Sequence, residues 1–180
     1  MLLDAEEAAS LDVHGRIDAA VLVPLYVVDG ALHAVFTRRR DDMRRHPGEI
    51  SFPGGRQDDD ETDLRLTALR EAEEEIGLPA KAVELVGALQ PTPTIATNYA
   101  VYPFVGLIEP GQDWRPAEAE VAEVLELALD DLRAGYGRRR LLRRGVPFRT
   151  DVYCVGDDLI WGATARIVGD LLERVPDDLQ

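Results

Sequence analysis

Two periods of apolar residues run along the chain, and together they predict most of its elements. Residues 19–28 form a nearly continuous apolar run and residues 31–37 a shorter one, so both read as strands. Asp29-Gly30 between them is a tight hairpin signal, because both residues tolerate the left-handed backbone that such turns require. Residues 49–52, 83–89, 99–108 and 121–127 read as further strands, and 148–155 with 159–161 as a hairpin across Gly156-Asp157-Asp158. The helical period appears in a short segment at 4–10, in 62–76, in 129–134 and in 163–175. In 62–76 the expected apolar stripe is Leu66, Leu69, Ala72 and Ile76; in the last helix it is Ile167, Leu171 and Leu172. Asp60, Thr62 and Asp63 are candidate caps for the 62–76 helix, and Gly77 is its natural stop. The polar stretch 38–48, the Pro-rich 91–94 with Asn98, and 110–116 are expected loops.

Strand runs interrupted by two substantial helices predict an α/β fold with helices on opposite faces of a sheet. A length of 180 residues accommodates one substantial core, and there are no internal repeats, low-complexity segments or linkers. One domain spanning 1–180 is therefore expected.

Composition narrows the function. With 46% hydrophobic and 30% charged residues the chain reads as globular, and a net charge of −14 argues against a general nucleic-acid binder. Cys154 is the only cysteine, which rules out an internal disulfide and a cysteine-based metal site; its apolar neighbours mark it as core filler. The start lacks the pattern of a secretory signal, and the longest near-apolar run, 19–28, contains Pro24 and is too short to span a bilayer. A reducing cytoplasm is the expected compartment, with no membrane partner.

The candidate chemistry sits in 52–78. Glu71, Glu74 and Glu75 fall at i, i+3 and i+4, within about 100° of arc on a helix. Like charges so placed oppose the helix, and a divalent cation such as Mg²⁺ would offset them. Just upstream, Phe52-Pro53-Gly54-Gly55 makes a turn, and the run 38–45 is basic in an acidic protein. Arg39 and Arg44 are candidates to pair bidentately with phosphate oxygens. His46 beside Pro47 reads as a loop residue. The basic stretch 138–144 leaves three readings open: a contact to a second copy of the chain, a solvated loop, or a site for substrate phosphate.

The stretch 55–78 resembles the box of the Nudix family: Gly, five residues, Glu, seven residues, then Arg-Glu-hydrophobic-x-Glu-Glu-x-Gly-hydrophobic. Gly55 and Glu61 fit the first interval and residues 70–78 the whole second half, while eight residues rather than seven separate Glu61 from Arg70. That extra residue would turn Glu61 about 100° away from the other glutamates if the helix reached it. Thr37-x-Arg39, Arg44, Gly48 and Phe52-Pro53-Gly54-Gly55 are further similar to the coenzyme A pyrophosphatase branch of the family, with Arg40 in place of the usual small residue. Residues 99–106 and 161–165 also look like that branch, and the longer loop inside the box is a feature of it.

The resemblance implies an α/β/α sandwich with a mixed sheet, and metal-dependent hydrolysis of a nucleoside diphosphate linked to another moiety. Coenzyme A or its derivatives would yield 3′,5′-ADP and 4′-phosphopantetheine. It implies Mg²⁺ or Mn²⁺ held by Glu71, Glu74, Glu75 and the carbonyl of Gly55, with Gly54 and Gly55 also bordering the substrate. Arg70 is expected to fix the glutamates through ion pairing. Position in the branch pattern favours Glu120 as a further carboxylate, and Glu71 and Glu120 are both candidates to take the proton of water. ADP-ribose, dinucleoside polyphosphates or damaged nucleotides are the alternative substrates. A non-catalytic nucleotide sensor is a further alternative, disfavoured because all three glutamates are retained.

Overall fold

The computed structural model describes residues 1–9, 11, 17–42, 48–94, 98–143 and 145–175. Its centre is β1 (Ile17–Val28), whose alternating side chains serve two cores. Ala20, Leu22 and Tyr26 point to one face; Ala19, Val23 and Leu25 point to the other. On one side β1 pairs in parallel with β7 (Tyr99–Leu107), from Ile17↔Tyr99 to Leu25↔Leu107. On the other side it pairs antiparallel first with β4 (Gly54–Arg56) and then with β2 (Ala31–Arg39). Pro24 falls between those two ladders, where its missing N–H interrupts neither.

The sheet runs β3 (Ile50–Ser51), β2, β1, β7 and β5 (Glu84–Ala88), with β6 (Thr92–Pro93) added to β7 and β8 (Val121–Ala128) to β2. It is mixed, as expected. The β1–β2 turn holds Asp29 at φ 51° and Gly30 at φ 81°, both in the left-handed region.

Helix α1 (Ala5–Ala9) and helix α2 (Leu64–Ile76) cover the face of Leu22 and Phe104. The opposite face receives α3 (Leu129–Ala134), α4 (Gly162–Arg174) and a second sheet of β9 (Tyr136–Arg143), β10 (Val146–Val155) and β11 (Asp158–Trp161). The result is an α/β/α sandwich with a small sheet added to one outer layer.

Three sequence expectations need correction. The buried stripe of α2 is Leu64, Ala68, Ala72 and Ile76, while Leu66 is 59% exposed. Ala72 and Ile76 are buried as expected and Leu69 partly so, but small Ala68 rather than Leu66 faces the sheet, because helix and sheet approach closely there. Residues 54–56 and 92–93, expected as turn and loop, are short strands. Residues 136–143, described only as a basic stretch, are strand β9.

Candidate active site

Helix α2 is fixed at both ends. Asp63 caps its start, its Oδ1 accepting the N–H of Arg65 at 2.9 Å, and the Arg65 guanidinium bonds the same carboxylate and Glu6. At its end Gly77 adopts φ 72°, with Gly77 N–H on Glu73 O at 3.0 Å and Leu78 N–H on Ala72 O at 3.3 Å. Burying Ile76 and Leu78 completely adds roughly 1.5–3 kcal/mol apiece to holding this last turn in place.

That last turn presents Glu75 inward. Its residue is 8% exposed, and its Oε2 accepts the backbone N–H of Gly54 at 3.1 Å. Burial pushes the Glu75 carboxyl up to about 7; Glu71 and Glu120 push the same way, against the Gly54 bond and Arg39. One turn earlier Glu71 lies against the backbone of Gly55, where an added Cβ would collide with its carboxylate. A Cβ on Gly54 would likewise strike the carbonyl of Ala20. Both glycines are thus required for the approach of β4 to β1 on one side and to α2 on the other. Burial raises the Glu71 carboxyl as well, opposed by Arg70.

Arg70 organises the outer side of the cluster. Its guanidinium bonds Glu61 Oε1 at 2.8 Å, Glu71 Oε1 at 2.9 Å, Glu74 Oε2 at 3.3 Å and the carbonyl of Arg56 at 3.2 Å. Arg70 thus forms ion pairs with three glutamates at once. Glu74, with its side chain 60% exposed, sits at the rim.

Glu61 lies before the helix begins, so the rotation argued for it does not apply. It reaches back to Arg70 and also accepts Thr67 Oγ1 at 2.7 Å and Asp58 N–H at 3.1 Å. The Arg70 guanidinium, then Thr67 and the Asp58 amide, hold its carboxyl down to about 2. Thr67 is fully buried and was missed in the sequence; its position six residues after Glu61 was the available signal.

Glu120 reaches the cluster through the backbone. The end of α2 leaves carbonyls unpaired within the helix. Glu75 O accepts Ala117 N–H at 2.9 Å and Ile76 O accepts Arg115 N–H at 3.0 Å. This docks the loop leading into β8, and Glu120 N–H closes onto Ala117 O at 2.9 Å. Arg40 N–H then bonds Glu120 O at 3.0 Å, which ties this loop to the end of β2.

Strand alternation separates the neighbouring arginines. Arg39 reaches Glu120, with Nη2 3.9 Å from Oε2, and its charge acts on Glu75. Arg38 turns the other way, to Glu123 of β8 and Asp158 of β11. Arg44, the other expected phosphate ligand, and His46 lie outside the described residues.

Glu71, Glu75, Glu120 and Arg39 are therefore brought together, with Glu74 at the rim. Among the described residues no three His, Cys, Asp or Glu side chains converge on one point close enough to hold an ion as they stand. The donor chemistry still fits a hard divalent cation. Two half-buried to buried carboxylates share one helix face, burial disfavours the charge on each, and Glu71 occupies the cradle left by the absent Gly55 Cβ.

Comparison with known proteins gives the family and the fold. The NUDIX domain model matches residues 16–145. A protein of Enterobacter sp. (strain 638) named Uncharacterized Nudix hydrolase NudL is 39% identical over 168 residues, covering 92% of this chain and 86% of its own length. The protein of the same name from Escherichia coli O6:H1 is 39% identical over 159 residues, covering 87% of this chain and 82% of its own. Among solved structures, a Nudix hydrolase from M. smegmatis, RenU, superposes with a TM-score of 0.56 at 21% identity, covering 74% of this chain and 83% of that one. The NUDIX domain of Shewanella oneidensis NrtR, complexed with ADP ribose, gives 0.53 at 19% identity, covering 74% and 88%. At these identities the solved structures establish the fold alone.

Proposed function

The chain belongs to the Nudix family, and from that premise we propose that it is a metal-dependent diphosphate hydrolase acting on coenzyme A or its derivatives. Water attacks one phosphorus of the diphosphate, the bridging P–O bond breaks, and 3′,5′-ADP and 4′-phosphopantetheine leave. The observation that carries the hydrolytic reading is the meeting of Glu71 and Glu75 on the Gly54-Gly55 strand, with Glu120 and Arg39 opposite Glu75. The coenzyme A reading is supported by the Thr37-x-Arg39, Gly48 and Phe52-Pro53-Gly54-Gly55 pattern.

Glu71, Glu75, the Gly55 carbonyl and, from the rim, Glu74 would hold Mg²⁺ or Mn²⁺. When bound, the cation supplies activation of water and neutralisation of charge on the diphosphate. The protein's own groups do the rest. Arg70 keeps Glu71 oriented through their 2.9 Å ion pair. The Gly54 amide aims Glu75. Arg39 offers a guanidinium to phosphate oxygens from the side opposite the helix. Glu120, on a loop docked to the end of α2, and Glu71 are the carboxylates placed to accept the proton of water.

No described helix is long and apolar enough to cross a membrane. A single domain over 1–180, acting in the cytoplasm on a small nucleotide substrate and binding no nucleic acid, completes the proposal. Its test is a substrate panel of coenzyme A, ADP-ribose, NADH and diadenosine polyphosphates with Mg²⁺ and Mn²⁺, with products identified by mass. Coenzyme A should be turned over best. Preferential turnover of any other member would replace it as substrate.

A further inference from the structure

Beyond the second sheet, β9 and β10 continue as an arm. From Arg138↔Asp151 to Arg143↔Val146 the two strands pair only with each other, because β11 ends at Trp161↔Val152. None of the side chains described between 138 and 151 is buried. A two-stranded ribbon of this kind is marginal in water without a surface to lie on.

The arm has one continuous face, exposed except at its base, where Tyr153 is buried. Alternation puts Tyr136, Arg138, Arg140 and Leu142 of β9 on it, directly across from Tyr153, Asp151, Arg149 and Pro147 of β10. Its outer part is basic and ends in an apolar tip. Arg140 stands opposite Arg149, a like-charge pair that opposes the hairpin, and Leu142 is 76% exposed.

The base of the same face is aromatic and carries charges of both signs, with Asp151 and Glu173 available to face a basic partner surface. The rings of Tyr136 and Tyr153 lie 5.5 Å apart, and the Tyr136 hydroxyl donates to Asp151 Oδ1 at 3.1 Å. Asp170 and Glu173 of α4 border the groove of about 710 Å³ beside them, together with Arg133 and Arg166, whose guanidiniums bond the carbonyls of Leu172 and Pro93. Gly169 leaves room over the Tyr153 hydroxyl, which a Cβ there would approach to 3.2 Å.

We propose that two copies of the chain associate through this face, their arms antiparallel about a two-fold axis. The distance from base to tip is six residues, about 20 Å of strand. With each tip over the partner copy's base, Leu142 and Pro147 meet the tyrosine groove, and Arg140 and Arg149 meet Asp151. Asp151 already holds Arg138 of its own arm at 3.3 Å, and Glu173 adds negative charge at the groove. One patch complements itself, as a two-fold contact demands. Charge favours a second copy over a polyanion: residues 136–149 hold six arginines and no acid, but the whole chain carries −14. None of these residues belongs to the proposed catalytic cluster.

Sedimentation velocity on the full chain, from low micromolar to sub-millimolar concentration, tests the proposal. A dimer weakened by added salt is expected. Leu142→Arg should raise the dissociation constant at least tenfold, with unchanged thermal unfolding and turnover at saturating substrate. Asp151→Arg should do the same, and Asp151→Arg with Arg149→Asp should restore association by exchanging the charges. A wild-type monomer at all concentrations would overturn the proposal, as would a Leu142→Arg dimer as tight as wild type. Association that appears only with added duplex DNA would assign the arm to nucleic acid instead.

Discussion

The backbone N–H of Gly54 donates to Oε2 of Glu75 at 3.1 Å, joining strand β4 to the last turn of α2 through a buried carboxylate. A neutral glutamine can accept the same bond through its amide oxygen. Glu75→Gln should therefore leave the metal-free protein as stable as wild type or more so, since a buried charge beside Glu71 and Glu120 is removed. Turnover should fall at least about a hundredfold, near 2.7 kcal/mol of transition-state stabilisation. The rise in Tm that Mg²⁺ gives the wild type should shrink in parallel. Glu74→Gln, at the exposed rim, should cost less. Paired thermal melts and rate measurements check both variants; near-normal turnover of Glu75→Gln at saturating Mg²⁺ would remove it from the ligand set.

Gly55→Ala places a methyl group where the Glu71 carboxylate lies. Because Arg70 holds that carboxylate from the other side, it has little room to retreat. We expect kcat/KM to fall roughly ten- to a hundredfold, while far-UV circular dichroism stays unchanged. Unchanged activity in Gly55→Ala would show that Glu71 has no fixed place in the reaction.

Glu61 and Arg70 predict an acid-sensitive contribution to stability. The Glu61 carboxyl is held at about 2, below its ordinary value of 4.5, so the folded state binds this proton more weakly than the unfolded one. The stabilisation is complete above about pH 4.5 and is lost as pH falls toward 2. Its size is on the order of 2 kcal/mol for a side chain that is largely shielded from water. Glu61→Gln should thus lower the stability of the protein at neutral pH, with the difference from wild type closing in acid. At neutral pH and below its melting temperature it should lose less turnover than Glu75→Gln. Urea titrations across this pH range provide the measurement. Equal losses of turnover in the two variants would place Glu61 among the residues acting on substrate.

The site was legible where local chemistry is distinctive. The Glu71–Glu75 register, the Gly77 stop and the Asp29-Gly30 turn follow from spacing and backbone preference, and the structure keeps them. Asp63 was one of three candidate caps, which only its bond to Arg65 N–H could decide. Strand β4 was not legible because two of its residues are glycines, present for close approach rather than strand propensity. The alternation of β9 was hidden by arginine on both faces. The approach of Glu120 to Glu75 depends on amides of Ala117 and Arg115 meeting the end of α2, a long-range pairing that leaves no local mark. Whether Glu61 would be turned away depended on whether the helix reached it, and the helix starts only at Leu64.

Arg39 is the described phosphate-binding candidate that faces Glu75 and Glu120. Arg39→Ala should lower kcat/KM for coenzyme A roughly ten- to a hundredfold, the loss of one charge-assisted hydrogen bond of about 1.5–3 kcal/mol. If it grips the diphosphate, dephospho-coenzyme A should suffer equally; if it reads the 3′-phosphate, only coenzyme A should. Steady-state rates on both substrates separate the two roles, and a variant with unaltered rates on both would exclude Arg39 from the site.

The most direct measurement is the ratio of wild-type kcat/KM for coenzyme A to that for dephospho-coenzyme A and for ADP-ribose, at fixed Mg²⁺. The three share a diphosphate, and the 3′-phosphate of coenzyme A is a dianion that a cationic side chain can single out. In a chain of net charge −14, a local arginine is the side chain suited to select it. The account predicts coenzyme A cut at least about tenfold faster than either, equivalent to about 1.4 kcal/mol, with 3′,5′-ADP and 4′-phosphopantetheine as products. Equal rates on all three would contradict it and leave a Nudix diphosphatase without coenzyme A selectivity.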